Sequence, residues 1–451
     1  MQSATLAVAL AGSILVLLLH PAYALAAYIA ALIWYPDYLR TTIGTLDISV
    51  GRIVVAVLLL RCLCNSQLRR NFVWSRLDTW VTLSMVIYVG IFCITRPLSA
   101  ALENQGGFLM DTWLSYITVR LILTDKAALI SFIKAASVPL AALAILGVVE
   151  SVTHWQPFAP LFRFCPWQAP VGEVEEQLRW GLTRAAGPFS HSIMFGDCFV
   201  MFLPLIWSLR HQRGYWQTLA YVLSAMAIVG AISSMSSGPW VAVMVAIFCL
   251  AIERYKHWVR LILITLVLAC ILIQVVSNRP FYRVLADHLN FVGGDWWQRA
   301  DLIDAAIEDF GQWWLAGYGG RDPGWGARTG MQVTDVNNEF ILKGVRYGIL
   351  GIIVLCAVLV TVFRGLSRAL KQTTDPQLTS IYWSLGSVLS AVIVAWMGVC
   401  FFGQLPALFY SVLGIAGSSF GFAEHAAADS DRLLSTRYNN LILAYEQAKQ
   451  A

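Results

Sequence analysis

Apolar runs of roughly membrane-spanning length, about 17–25 residues, recur along nearly the whole chain, at 4–19, 22–36, 49–65, 79–96, 108–124, 128–151, 194–210, 216–234, 238–253, 257–276, 347–366, 380–401 and 404–420. Lipid offers the backbone no hydrogen-bond partner, so each run predicts a helix, whose peptide groups satisfy one another. The first two runs are short and meet at His20 and Pro21, as a tight pair or with one crossing incomplete. The pattern predicts an all-α polytopic membrane protein with 12 to 13 transmembrane helices over 1–422 and a polar, alanine-rich tail over 423–451. Most connections are short, but 152–193 and 277–346 are not. The second, at about 70 residues, far exceeds the roughly 2–8 that usually join packed helices.

Composition sharpens this picture. The chain is 58% hydrophobic and 13% charged, against about 25% charged in soluble domains, which excludes a water-soluble globule. Lys and Arg in short loops stay cytoplasmic. Here Arg69, Arg70 and Arg76, then Arg120, Lys126 and Lys134, then Arg210 and Arg213, then Arg254, Lys256 and Arg260, then Arg364, Arg368 and Lys371 fall on every second connection. The alternate connections, the two long ones included, then face the other side, which in a bacterium is the periplasm. The net charge of +5 is accounted for by these retention signals and calls for no nucleic-acid partner. Nine cysteines show neither a disulfide framework nor metal-ligand spacing. Met1 to His20 lacks the positive n-region of a cleavable signal.

The long loop gathers Arg279, Arg283, Arg299, Arg321, Arg328, Asp335, Asn337, Asn338, Glu339, Lys343 and Arg346 among Trp296, Trp297, Trp313, Trp314 and Trp325. Arginine forks bind phosphate and carboxylate, and tryptophan faces stack on sugars or settle at a bilayer surface, so the loop suits an anionic ligand met at a membrane face. Within it, Asp295 to Phe310 reads as an amphipathic helix, with Leu302, Ile303, Ala306, Ile307 and Phe310 on one face and Asp301, Asp304 and Glu308 on another. The acidic stripe reads as a solvated face rather than a cation site. Trp313 to Gly320 reads as an interfacial turn or a sugar platform. In the shorter loop, Gly187 and Pro188 mark a turn that brings Arg184 and His191 to the membrane surface at a helix entrance. There Arg184 either grips a phosphate or pairs with lipid phosphates or with Glu173, Glu175 or Glu176.

Four motifs occur in order: Arg184-Ala-Ala-Gly-Pro-Phe-Ser-His-Ser-Ile-Met-Phe-Gly, Ser234-Met-Ser-Ser-Gly-Pro-Trp, Arg299-Ala-Asp-Leu-Ile-Asp-Ala-Ala with Leu315-Ala-Gly-Tyr-Gly, and Asp335-Val-Asn-Asn-Glu-Phe-Ile-Leu-Lys-Gly-Val-Arg-Tyr-Gly-Ile-Leu-Gly. Over about residues 180–360 the set resembles the O-antigen ligase and polymerase superfamily. That resemblance implies a GT-C type fold and a metal-independent, cofactor-free inner-membrane glycosyltransferase. Its substrate is an undecaprenyl-diphosphate-linked oligosaccharide, met at the periplasmic face of the lipid bilayer. A flippase and a chain-length copolymerase are the implied partners. Two departures bear on the branch. Ser236-Ser237-Gly238 stands where many members have Ser-Arg-Gly, and Asn337-Asn338 stands where ligases have His-Asn. An asparagine amide cannot act as a base, which favours exopolysaccharide or O-antigen repeat-unit polymerisation over ligation to lipid A-core.

Such a transfer needs the departing diphosphate neutralised, which positioned arginines do without a metal. Arg184 and Arg299 are the candidates, with Arg321, Arg328, Arg346, Asn337, Asn338 and His191 as further diphosphate or glycan contacts; for these arginines a structural salt bridge is the competing reading. A carboxylate within hydrogen-bond reach of the acceptor hydroxyl takes its proton, and Asp335 and Glu339 are candidates, sharing one face by their i, i+4 spacing. Asp335 or Asn338 also suits a helix cap. A transporter or an assembly partner without catalysis shares the helices. A transporter normally places charges near mid-membrane, where this chain has chiefly Asp197, with Asp111 nearer an end.

Overall fold

The computed structural model describes residues 1–43, 46–165, 178–289, 296–328 and 334–422; the expected tail over 423–451 lies outside them. A helix lies over each of the thirteen apolar runs, and the strands among the described residues form only two short hairpins, Arg40–Ile43 with Leu46–Ser49 and Leu178–Arg179 with Leu182–Thr183. Seven helices are long and apolar enough to cross a membrane, and Gln2–Leu18, Pro21–Trp34 and Leu405–Ser419 are shorter apolar ones. The architecture is all-α and of the polytopic membrane kind.

Ser192–Ser208 is the central helix. Every residue in it except Ile193 and Trp207 is buried, against Tyr215–Ser233, Ser237–Ala251, Pro376–Trp396 and Leu405–Ser419. Glycine permits the closest of these approaches: a Cβ on Gly196 would stand 2.7 Å from Pro239 and from the Ser234 hydroxyl. Val259–Val276 is the opposite case, a predominantly apolar helix with no buried residue, which packs chiefly on the segments that precede and follow it in sequence.

The basic connections converge on one end of the bundle. Lys126 pairs with Asp375, Lys134 donates to Gln212, Gln212 donates to Gln377, and Arg210 pairs with Glu253. At the same end Arg120 makes a buried fork to Asp78, at 2.8 and 2.9 Å, and also donates to Val73 O. Tyr116 adds its hydroxyl to the same carboxylate. Asp78 in turn completes a capping box with Ser75 at the start of Arg76–Thr95.

Two helices differ from the pattern. The run at 108–124 belongs to a longer helical stretch that begins at Leu98, directly after Pro97, and passes through a π-helical turn at Met110–Leu114. Pro97 ends the preceding helix, and Leu98 to Gln105 contains no breaker, so polarity alone did not make a loop. The π turn carries Asp111, whose two carboxylate oxygens accept from Nε and Nη2 along one edge of the Arg52 guanidinium at 2.9 and 2.6 Å. The run at 347–366 belongs to Glu339–Gln372, which is broken at Gly348, where φ is +68°. There the loop after Trp313 wedges against the helix, Tyr318 N–H donating to Val345 O and Ile349 N–H to Trp314 O. A side chain on Gly348 would strike Leu315 O at 2.4 Å, and one on Gly317 would strike Val345 O at 2.5 Å. The two glycines are thus matched at one crossing, and the loop supplies hydrogen bonds that the broken helix lacks.

The amphipathic helix is Trp296–Glu308, rotated from the expected face. Leu302, Ala305 and Ala306 are buried while Ile307 and Phe310 are exposed, because small alanines admit Trp313, Leu342 and Val345 into the same cluster. Its acids are held by arginine: Arg283, from Phe281–Leu289, binds Asp301 and Asp304, and Arg328 binds Glu308.

Candidate functional site

At the end of the bundle opposite the basic connections, four loops meet. The turn at 184–191 is fastened first. Ala186 and Gly187 N–H donate to the buried Glu150 carboxylate at 3.0 and 2.9 Å, and Ala185 N–H donates to Ser233 O. Gly187 sits at φ +52° with the Phe195 ring 3.0 Å from where a Cβ would be, so glycine alone makes this turn. The turn delivers Arg184, which donates to Ser236 Oγ at 2.9 Å, and His191, which caps Ser192–Ser208 by accepting Ile193 N–H on Nδ1.

The hub is the 397–404 loop. It accepts Asn338 Nδ2 at Met397 O, donates Phe401 N–H to Glu339 at 3.1 Å, and donates Gln404 Nε2 to Pro188 O at 3.2 Å. Gly398 in this loop lies against Arg299; a Cβ there would stand 3.7 Å from the guanidinium. Across the loop, Phe402 meets His191 edge to face at 6.4 Å.

Three guanidiniums lie close enough to His191 for their charges to be felt there. The His191 side chain is exposed to solvent, with protein packed along part of the ring. Desolvation, then Arg184, Arg179 and Arg299 in that order, push it down to about 4. At neutral pH His191 is therefore uncharged. With Nδ1 committed as an acceptor, the proton resides on Nε2, which is left as a donor. Among the described residues, Asp335 is a carboxylate that feels the Arg299 charge. Its pKa is raised by desolvation, against the Asn337 amide that hydrogen-bonds it and the nearby Arg299 charge. Its side chain is exposed to solvent.

The structure brings Arg184, His191, Arg299, Asp335, Asn337 and Asn338 into one neighbourhood. Asn338, not Asp335, caps Glu339–Gln372, accepting Phe340 and Ile341 N–H at 3.0 and 3.1 Å. Asp335 lies before the helix, so the expected shared face with Glu339 does not exist; i, i+4 proximity requires both residues in helix. Glu339 turns inward instead. It pairs with Lys343 at 2.9 Å, with both side chains less than a tenth exposed, and Lys343 lies over the rings of Tyr88 and Phe108 at 5.2 and 5.5 Å. Arg346 stands at the margin, close enough to act on the Cys400 thiol together with Asp335, Glu339 and Lys343; burial and these acids push that thiol to about 12. Arg321 is exposed away from these contacts, and Arg328 is a salt-bridge partner of Glu308 and Asp309. Two of the tryptophans expected to offer a platform are core residues: Trp313 is buried in the cluster with Leu302, and Trp325 donates to Asp309 at 2.6 Å.

Sequence reasoning missed Arg179, Gly398 and the hub. Arg179 belongs to a hairpin of two-residue strands, too short for a periodic signal, and the hub is simply the polar end of an apolar run. No protein-family model matches the chain, and no curated protein matches it.

The buried pair gives a stability test. Lys343→Met leaves the Glu339 carboxylate buried without its partner, so it is expected to cost about 3–5 kcal/mol, and adding Glu339→Gln is expected to restore much of that loss. Thermal denaturation of the detergent-solubilised variants reads both. Equal losses in the single and double variants would mean that Lys343 acts through its packing on the aromatic rings alone.

Proposed function

We propose that the chain is a bacterial inner-membrane polysaccharide polymerase, an inverting glycosyltransferase of GT-C type with 12 to 13 transmembrane helices, working on polyprenyl-diphosphate-linked glycan at the periplasmic face. The observation that carries this reading is that Arg179 and Arg184 bind the successive residues Met235 and Ser236, while Arg299 lies on Gly398 in the loop whose Phe402 meets His191, with Asp335 near the Arg299 charge. Guanidiniums beside a carboxylate suit a diphosphate that leaves as a sugar bond breaks, and the motif resemblance supplies the glycan.

In this mechanism the acceptor sugar hydroxyl attacks the anomeric carbon of the donor. The anomeric C–O bond to the diphosphate breaks as the new glycosidic bond forms, and configuration inverts. The hydroxyl proton passes to the Asp335 carboxylate, and the electron pair leaves with the lipid diphosphate. Arg184 and Arg299 hold the charge that develops there, in a site fastened beforehand by Glu150, Gln404 and Asn338. His191 Nε2–H donates to a phosphate or sugar oxygen. Glu339, engaged by Lys343 and by Phe401 N–H, holds the hub in place and takes no proton.

Purified protein in lipid nanodiscs, supplied with polyprenyl-diphosphate-linked repeat units, should lengthen the glycan while releasing lipid diphosphate. Transfer only to lipid A-core would make it a ligase, and passage of the lipid across proteoliposomes without transfer would make it a transporter. Sidedness has its own test. A cysteine replacing Ala327 should react with an impermeant maleimide in intact cells, whereas one replacing Arg213 should react only after permeabilisation; both positions are exposed.

A further inference from the structure

The hairpin that carries Arg179 has an expensive tip. Leu178 pairs with Thr183 and Arg179 with Leu182, leaving Trp180 and Gly181 as a two-residue turn. Both have positive φ, +54° and +77°, the combination of a type I′ turn, for which Asn-Gly is the favoured pair. A bulky aromatic residue in left-handed backbone is an outlier that persists where function or surroundings hold it. Trp180 is also 68% exposed, so burial does not repay the strain. Its ring is nevertheless oriented: Trp240 meets it edge to face at 5.7 Å, and Trp240 is itself fixed by donating Nε1–H to Ile232 O at 3.1 Å.

The ring pair stands beside the arginines. Arg179, next in sequence, donates to Met235 O at 3.1 Å, and Met235 is another non-glycine residue at positive φ, +45°. Arg184 reaches Ser236, one helical turn before Trp240. An exposed aromatic face next to a cluster of guanidiniums suits a ligand that places a flat C–H face close to phosphate, as a pyranose linked to a diphosphate does.

We propose that Trp180, braced by Trp240, is a stacking subsite for a sugar ring of the lipid-linked glycan, and that Arg179 joins it to the diphosphate site. This rests on the polymerase reading, and the test separates the two. Trp180→Asn suits it because asparagine favours the turn and removes only the ring, so the fold is retained. With the full chain in phosphatidylethanolamine–phosphatidylglycerol nanodiscs, binding is measured for undecaprenyl diphosphate and for its glucosyl, galactosyl and N-acetylglucosaminyl forms. The best glycosylated lipid should bind the wild-type chain about tenfold more tightly than the bare lipid. Trp180→Asn should abolish that gain with bare-lipid binding unchanged, Trp240→Ala should weaken it, and Trp180→Phe should keep part of it. Arg184→Ala with Arg299→Ala should instead weaken both lipids; if it weakens neither, the diphosphate site fails. No sugar-dependent gain in the wild-type chain overturns the subsite. So does an equal loss for both lipids in Trp180→Asn, which would mark the ring as a bilayer anchor.

Discussion

Asp335→Asn is expected to slow glycan transfer by about 10²–10⁴, the usual contribution of a positioned general base, with the protein still folded. The carboxylate is solvent-accessible, precedes the helix and caps nothing, since Asn338 has that task. Asparagine keeps the shape and removes the basicity. The pH profile carries the same signature. A base works only when deprotonated, so activity falls as pH drops through the Asp335 pKa, which desolvation holds above the ordinary carboxylate value. Arg299 opposes that rise, so Arg299→Gln should shift the acid limb of any residual activity to higher pH. Rates for the purified variants, measured across the acid range, check both points. A wild-type rate in Asp335→Asn would leave catalysis to departure of the diphosphate alone.

Arg299→Ala and Arg184→Ala are each expected to cost about 10²–10³ in rate, by analogy with loss of one preorganised donor to a developing anion. Lysine should rescue poorly because it lacks the planar fork. At Arg299 a second route to the same defect exists. The guanidinium rests on Gly398, so Gly398→Leu should displace it and reproduce much of the Arg299→Ala loss, whereas Gly398→Ala should be mild because a lone Cβ there makes ordinary contact. Polymer yield at matched membrane expression reads all of these variants. Full activity in Gly398→Leu would detach Arg299 from its proposed place.

The helices were legible because lipid imposes a single rule on length and polarity, and every apolar run contains one. What polarity could not show was where a helix continues beyond its apolar part, as from Leu98 to Gln105 and from Glu339 to Arg346. Arg184, Arg299 and Asp335 were legible as chemistry near turns and helix starts. Glu339 was not, because its role depends on Lys343 one turn along and on a backbone N–H at Phe401. The tryptophans misled in the same way: composition shows that Trp313 and Trp325 have sugar-binding faces, and only packing shows that those faces are occupied. Arg179 and Trp180 gave no signal, being two residues of a very small hairpin.

The contrast between Ser192–Ser208 and Val259–Val276 sets how this chain can diverge. Along the first, nearly every side chain has protein around it, so a change of one methyl group is felt and substitutions must be compensated in a neighbouring helix. Along the second, no side chain is buried, and one apolar residue serves as well as another provided that length is kept. Descendants of this sequence should therefore drift freely through 259–276 and slowly through 192–208. The helix that joins the core to the segment bearing Arg299 would then be the first part in which kinship fades.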